Sequence, residues 1–83
     1  MKKLLSIYDK KVQSYSVPFG VEFEAEGIRF FDDLCKTSNG MIAKYPEDFD
    51  LYLVGTMDCR TGEVTPVWPC KFIMNGGACV EVV

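Results

Sequence analysis

Residues 44–62 constrain the fold most, because they hold a turn, a half-buried strand and the start of a hairpin return in one short stretch. Pro46 fixes its own φ and biases Tyr45 toward extended geometry, so a helix does not run through this point into the apolar residues that follow. Those residues, Leu51-Tyr52-Leu53-Val54-Gly55-Thr56-Met57, read as a strand. Leu51, Leu53 and Met57 fall on one side of a period-two pattern and Tyr52, Val54 and Thr56 on the other, which suits a central strand with both faces partly covered. Gly62 then supplies the positive-φ position of a short loop, and residues 63–67 return as the partner strand.

Upstream, residues 3–9 alternate Leu4, Ser6 and Tyr8 against Leu5 and Ile7, a short strand with lysines at its ends. Residues 15–23 read as a second strand or extended segment, with Pro18 marking an edge or a bend because it cannot donate to a ladder. Residues 24–36 are the convincing helix: Ala25, Ile28, Phe31 and Cys35 recur at helical spacing, and Phe30 and Leu34 widen the apolar face. Glu24 and Glu26 fall in its first turn and Lys36 in its last, as the helix dipole prefers. Gly40 is expected as a left-handed stop. Downstream, Asn75-Gly76-Gly77 lies between two β-prone runs and predicts a last hairpin, whose final residues 80–83 would offer an edge for self-association.

Together these elements predict an α+β fold, one helix packed on a small antiparallel sheet of about four to six strands. Eighty-three residues make one domain, 1–83, with a core small enough that a partner subunit would help it, so a homodimer or larger assembly is expected. The 48% hydrophobic fraction is too high for a disordered chain. Its apolar runs are a handful of residues, so no membrane span and no signal peptide is expected, and the chain should act in the cytoplasm of its host cell.

The chemistry is defined mainly by what is missing. There is no histidine, no Gly-rich phosphate loop and no Gly-x-Ser-x-Gly, so an enzyme is not expected, and no cofactor motif is present. Cys35, Cys59, Cys70 and Cys79 lack the close pairing of a zinc site and read as thiols in a reducing compartment, with a Cys70–Cys79 disulfide as the alternative. Glu47, Asp48 and Asp50 could in principle hold a divalent ion but read as a solvated turn that helps start the strand. Phe31, Phe49 and Ile28 are core material.

Single-strand binding would use lysines along the backbone with aromatic rings as stacking platforms. The candidate nucleic-acid contacts are Lys2, Lys3, Tyr8, Lys10, Lys11, Arg29, Lys44 and Tyr45, with Tyr15, Tyr52 and Trp68 as further rings. The net charge of −3 argues against a phosphate-driven binder. Its distribution is uneven: residues 1–12 carry four lysines against Asp9, and residues 13–33 carry Arg29 against five acidic side chains. Such polarity suits a DNA contact at one end or complementary contact between proteins.

Several blocks together resemble a known family: Lys2-Lys3-Leu4-Leu5-Ser6-Ile7-Tyr8-Asp9, Pro18-Phe19, Ile28-Arg29-Phe30-Phe31-Asp32-Asp33, Lys44-Tyr45-Pro46-Glu47-Asp48-Phe49 and Thr61-Gly62-Glu63-Val64-Thr65-Pro66. In order and spacing they are similar to the small non-structural protein of gokushoviruses, single-stranded-DNA phages of the microvirus group, over residues 2–67. Where that family often has a His before Pro-Glu-Asp, this chain has Tyr45. The resemblance implies a non-catalytic phage protein that binds DNA, single-stranded, during genome replication or the switch to single-stranded genome synthesis and packaging. It implies no catalytic residues. The alternative is a regulator that contacts phage or host replication proteins and touches no DNA.

Overall fold

The computed structural model describes residues 1–37 and 40–79. Along the chain it forms β1 (Lys2–Asp9), β2 (Ser14–Tyr15), β3 (Phe19–Val21), α1 (Glu24–Thr37), α2 (Met41–Lys44), a 3₁₀ turn (Pro46–Asp48), β4 (Phe49–Met57), β5 (Val64–Asn75) and a second 3₁₀ turn (Gly76–Cys79). The strands make one antiparallel five-stranded sheet in the order β2-β1-β4-β5, with β3 also on β1. The expected α+β architecture is therefore what forms.

The segment expected as a second strand is split in two around Pro18. Pro18 lacks a backbone donor, and Ser16 takes over the pairing before it. The Ser6 hydroxyl donates to the Ser16 carbonyl at 2.7 Å, the Ile7 N–H donates to the Ser16 hydroxyl at 3.0 Å, and the Ser16 N–H donates to the Ile7 carbonyl at 2.9 Å.

Helix α1 lies across the face of the sheet that carries Leu5, Leu51 and Leu53. Its buried stripe is Gly27, Phe31 and Cys35, joined by the half-buried Ile28 and Leu34, with Phe30 edge-on to Phe19 of β3 at the rim and Ala25 exposed. A Cβ on Gly27 would collide with the Leu5 side chain, so a residue without one is what lets the helix sit this close to β1. At the helix start the Glu26 carboxylate accepts from the N–H groups of Glu22 and Phe23, at 2.8 and 3.0 Å, satisfying donors before the first turn. Leu5, Phe31, Cys35, Phe49, Leu51 and Leu53 form the core, and each fully buried large side chain contributes about 1.5–3 kcal/mol.

Three expectations are corrected. Val54 is a bulge: Leu5 pairs with Leu53 but Leu4 with Gly55, so the extra residue reverses the parity beyond it. Met57, opposite Lys2, thus lies on the Tyr52 side of the sheet rather than with Leu51 and Leu53. Gly40 has φ −88° and leads into α2, so it is not a left-handed stop.

The third correction concerns the C-terminal hairpin. Lys71–Met74 does not start a separate strand but continues β5 to Asn75, and Gly76 opens a 3₁₀ turn. Gly76 is buried, and a Cβ there would collide with the Pro46 carbonyl oxygen. The Asn75 amide nitrogen donates to the carbonyls of Glu47 and Phe49 and to the Asp50 carboxylate, and its oxygen accepts from the Gly77 N–H. Asn75-Gly76-Gly77 therefore ties the end of β5 to the start of β4, and Gly76–Cys79 is a 3₁₀ turn rather than the start of a return strand. Residues 80–83, expected as an edge for self-association, lie outside the described residues. Gly62 does occupy the positive-φ position of the β4–β5 loop, at 83°.

Candidate nucleic-acid interface

The sheet face opposite α1 carries a row of aromatic rings. Strand registers put them there: Tyr8 pairs with Tyr15 across β1–β2, and Tyr52 pairs with Ser6 on β1 and with Phe72 on β5. Residues directly opposed share a face, and Ser6 and Tyr8 are two apart on β1, so all four rings project from the same side. Ring centroids lie 4.6 Å apart for Tyr8–Tyr15, 5.5 Å for Tyr15–Tyr52, 6.2 Å for Tyr8–Tyr52 and 5.7 Å for Tyr52–Phe72. The last three contacts are edge-to-face, the arrangement that aromatic quadrupoles favour. Tyr8 and Tyr52 are half-buried in the row, and Tyr15 and Phe72 at its ends are 47% and 53% exposed.

The flanks of the row are polar. Ser6 and Ser16 are hydrogen-bonded beside Tyr52, and the buried Asp50, opposite Tyr8, accepts from Asn75 at 2.7 Å. Lys10 reaches toward the same carboxylate, its ammonium 4.0 Å from Asp50 Oδ1. The Tyr15 phenol is held above its ordinary value, first by burial and then by the nearby Cys70 thiol; for Tyr52 burial again leads, followed by Asp50. Both rings stay neutral around pH 7.

Of the residues named from the sequence, Tyr8 and Lys10 come together at this face, and Lys11 sits in the same β1–β2 turn. Lys2 and Lys3 are at the far end of β1, eight residues and roughly 25 Å of strand away. Lys2 is held there by Glu22 at 2.8 Å, a hydrogen bond that raises the Lys2 pKa and lowers that of Glu22. Arg29 is exposed on α1, in the layer on the other side of the sheet. Lys44 lies 5.7 Å from the Tyr45 ring centroid, just before the Pro46–Asp48 turn, whose Asp48 carbonyl accepts from the Lys10 N–H at 2.9 Å. Trp68 is 85% exposed on the stretch of β5 that faces the Val54 bulge. Phe72 escaped the sequence reading; the signal that finds it is its pairing with Tyr52.

The acidic segment 13–33 is largely engaged within the chain. Glu22 pairs with Lys2, Glu24 with Lys71 at 3.3 Å, Asp32 with Lys36 at 3.1 Å, and Glu26 caps the helix entry. Cys59 and Cys70 carry free thiols; the alternative Cys70–Cys79 bridge rests on a side chain outside those the structure describes.

Comparison with known proteins places the chain in a lineage. The profile of the family described as "Phage ORF5 protein" matches residues 2–79. The chain belongs to that family. Protein ORF5 of Chlamydia phage 1 is 43% identical over 68 residues, covering 75% of this chain and 69% of that relative. No solved structure matches. The resemblance to the gokushovirus small protein, read over residues 2–67, is thus upheld and reaches residue 79, so Phe72 and the Asn75 network fall within the ORF5 family match. Among the described residues of this phage protein, no helix is long and apolar enough to cross a membrane.

Proposed function

We propose that this ORF5-family protein is a non-catalytic binder of single-stranded DNA, acting in the host cytoplasm during genome replication or the switch to single-stranded genome synthesis. The observation that carries this reading is the row Tyr15-Tyr8-Tyr52-Phe72 on the sheet face that the helix leaves uncovered. A sheet face with aromatic rings and a nearby lysine turn is what sequence-tolerant single-strand binding uses, because every base offers a π-face. The turn carrying Lys10 and Lys11 supplies the phosphate contact at one end of the row.

A second reading is favoured by the net charge of −3: a regulator that docks on phage or host replication proteins without touching DNA. Fluorescence anisotropy of a labelled single-stranded oligonucleotide, titrated with the protein in low salt, separates the two. A saturable rise with no comparable rise on the matched duplex is the expected result. A flat trace on the single strand overturns the DNA reading in favour of the regulator.

A further inference from the structure

We infer that the open face seats an unpaired nucleobase over Tyr52, between the rings of Tyr15 and Phe72, so that its ligand is single-stranded nucleic acid held chiefly through base faces rather than phosphates. This rests on the function proposed above and adds how the strand is held. Tyr52 sits at the centre of the row, with its plane at 69° to Tyr15 and 75° to Phe72. The two outer rings are the more exposed, so a planar group approaching Tyr52 meets a wall on each side. Sheet-borne aromatics of this kind stack two or three bases in single-strand binders.

The charges around the row point the same way. The ammonium near the rings, that of Lys10, already faces Asp50, and the neighbouring Lys11 adds one more exposed cation. A binder relying on phosphates needs more than this, whereas stacking needs only the rings. The neutral phenols add no repulsion against a phosphate backbone.

The area of the row argues against a second copy of the chain as its occupant. An aromatic side chain offers about 150–250 Å² when fully buried, and these four are about half exposed at most, so together they present roughly 400 Å² or less. A stable protein interface covers about 800 Å² on each partner. The hydrogen-bonded Ser6–Ser16 and Asp50–Asn75 pairs put polar groups on either flank of the row.

The test compares two labelled oligonucleotides with equal numbers of phosphates, an oligothymidylate of about a dozen nucleotides and a wholly abasic strand of the same length, within the range that single-strand sites occupy. The unaltered protein should bind the abasic strand weaker by about five- to 150-fold for each base that stacks. Phe72→Leu and Tyr15→Leu, both at half-exposed positions, should lower thymidylate affinity toward the abasic value while leaving abasic binding unchanged. Equal affinity for both strands would overturn the stacking inference and leave DNA binding intact, through phosphates alone. Binding of neither strand would overturn both. A dimer in sedimentation that either substitution converts to monomer would overturn the inference in favour of a protein interface.

Discussion

The Phe72 ring on β5 stands edge-on to Tyr52 on β4, centroids 5.7 Å apart at 75°, and joins the edge strand to an aromatic row that begins on β2. That contact lies on the solvent side of the sheet, opposite the core. It should matter little to folding: Phe72→Leu is expected to cost about 1 kcal/mol or less, the scale of a cross-strand pair. Phe31→Ala, in the fully buried core, is expected to cost about 3–5 kcal/mol. Urea unfolding of the two variants measures the contrast, and similar losses would mean that the row is part of the core.

The two lysine pairs should behave differently in DNA binding. Lys10→Gln with Lys11→Gln removes the cations beside the row, while Lys2→Gln with Lys3→Gln removes cations at the other end of β1. For about two phosphate contacts on a single strand, affinity should fall about sevenfold between 50 and 200 mM salt; all four lysines acting together would give about fiftyfold. The first double variant should flatten the salt dependence, and the second should leave affinity within about twofold. Equal effects from the two pairs in a salt-series titration would show that the strand runs the length of β1.

Why some of this could be read from the residues and some could not follows from which interactions are local. The helix was legible because Phe31 and Cys35 recur at its own period, and the β4 hairpin because Gly62 marks its turn within the same short stretch. The aromatic row was legible only in part. Tyr8, Tyr15 and Tyr52 can be named as rings, but their meeting depends on strand registers set by distant segments. Phe72 depends on more, since β5 places Val67 to Cys70 against the single Val54 before pairing resumes at Leu53 with Lys71 and brings Phe72 opposite Tyr52. The same bulge moved Met57 to the other face. The four N-terminal lysines look like one cluster along the sequence, yet an extended strand carries its ends apart. Asn75-Gly76-Gly77 has the composition of a turn; that Gly76 is required by the approach of Pro46 is a tertiary fact.

Alkaline pH should loosen the row. Tyr15 and Tyr52 ionise above the ordinary phenol value of 10.0 in the folded protein, burial being the leading cause for both. A raised folded pKa means that the folded state holds these protons more tightly than the unfolded chain. Its contribution to stability is full below about pH 10 and is lost as pH rises through the folded values. Tyr15→Phe with Tyr52→Phe removes this dependence, so the variant should keep more of its stability above about pH 10. Thermal unfolding followed at neutral and alkaline pH checks it, and parallel losses in both proteins would assign the alkaline sensitivity elsewhere.

Gly27 and Gly20 make a matched pair for testing how α1 is seated. Alanine normally favours a helix by up to about 1 kcal/mol over glycine. At Gly27 the added methyl would meet the fully buried Leu5 side chain, and overpacking of that kind costs about 1–3 kcal/mol. Gly27→Ala should therefore destabilise on balance. At Gly20 the nearest atoms to an added Cβ are Leu4 Cδ2 at 3.8 Å and Lys2 Cβ at 3.9 Å, ordinary contacts, so Gly20→Ala should be tolerated. Urea midpoints that rank the two the other way would show that Leu5 yields and that the helix is not seated by this contact.

Asn75 is the residue through which the end of β5 is fixed to the base of the row. Its amide nitrogen has two hydrogens shared among three acceptors, the Glu47 and Phe49 carbonyls and Asp50 Oδ1, and its oxygen takes the Gly77 N–H at 2.8 Å. Asp50 is only 7% exposed, and the cation facing it, Lys10, stands back at 4.0 Å. Asn75→Ala leaves that carboxylate short of a donor and should cost about 1–3 kcal/mol, the penalty of an unsatisfied buried group. Asn75→Asp keeps the size but sets a second carboxylate against the first, so at neutral pH it should cost more than alanine. Urea midpoints at neutral pH should therefore rank the native chain above Asn75→Ala and Asn75→Ala above Asn75→Asp. Because Asp50 lies opposite Tyr8 in the register, the same substitutions should also weaken single-strand binding while the row itself is unaltered in sequence. A urea midpoint unchanged by Asn75→Ala would show that the β4–β5 ladder holds this end without the side chain.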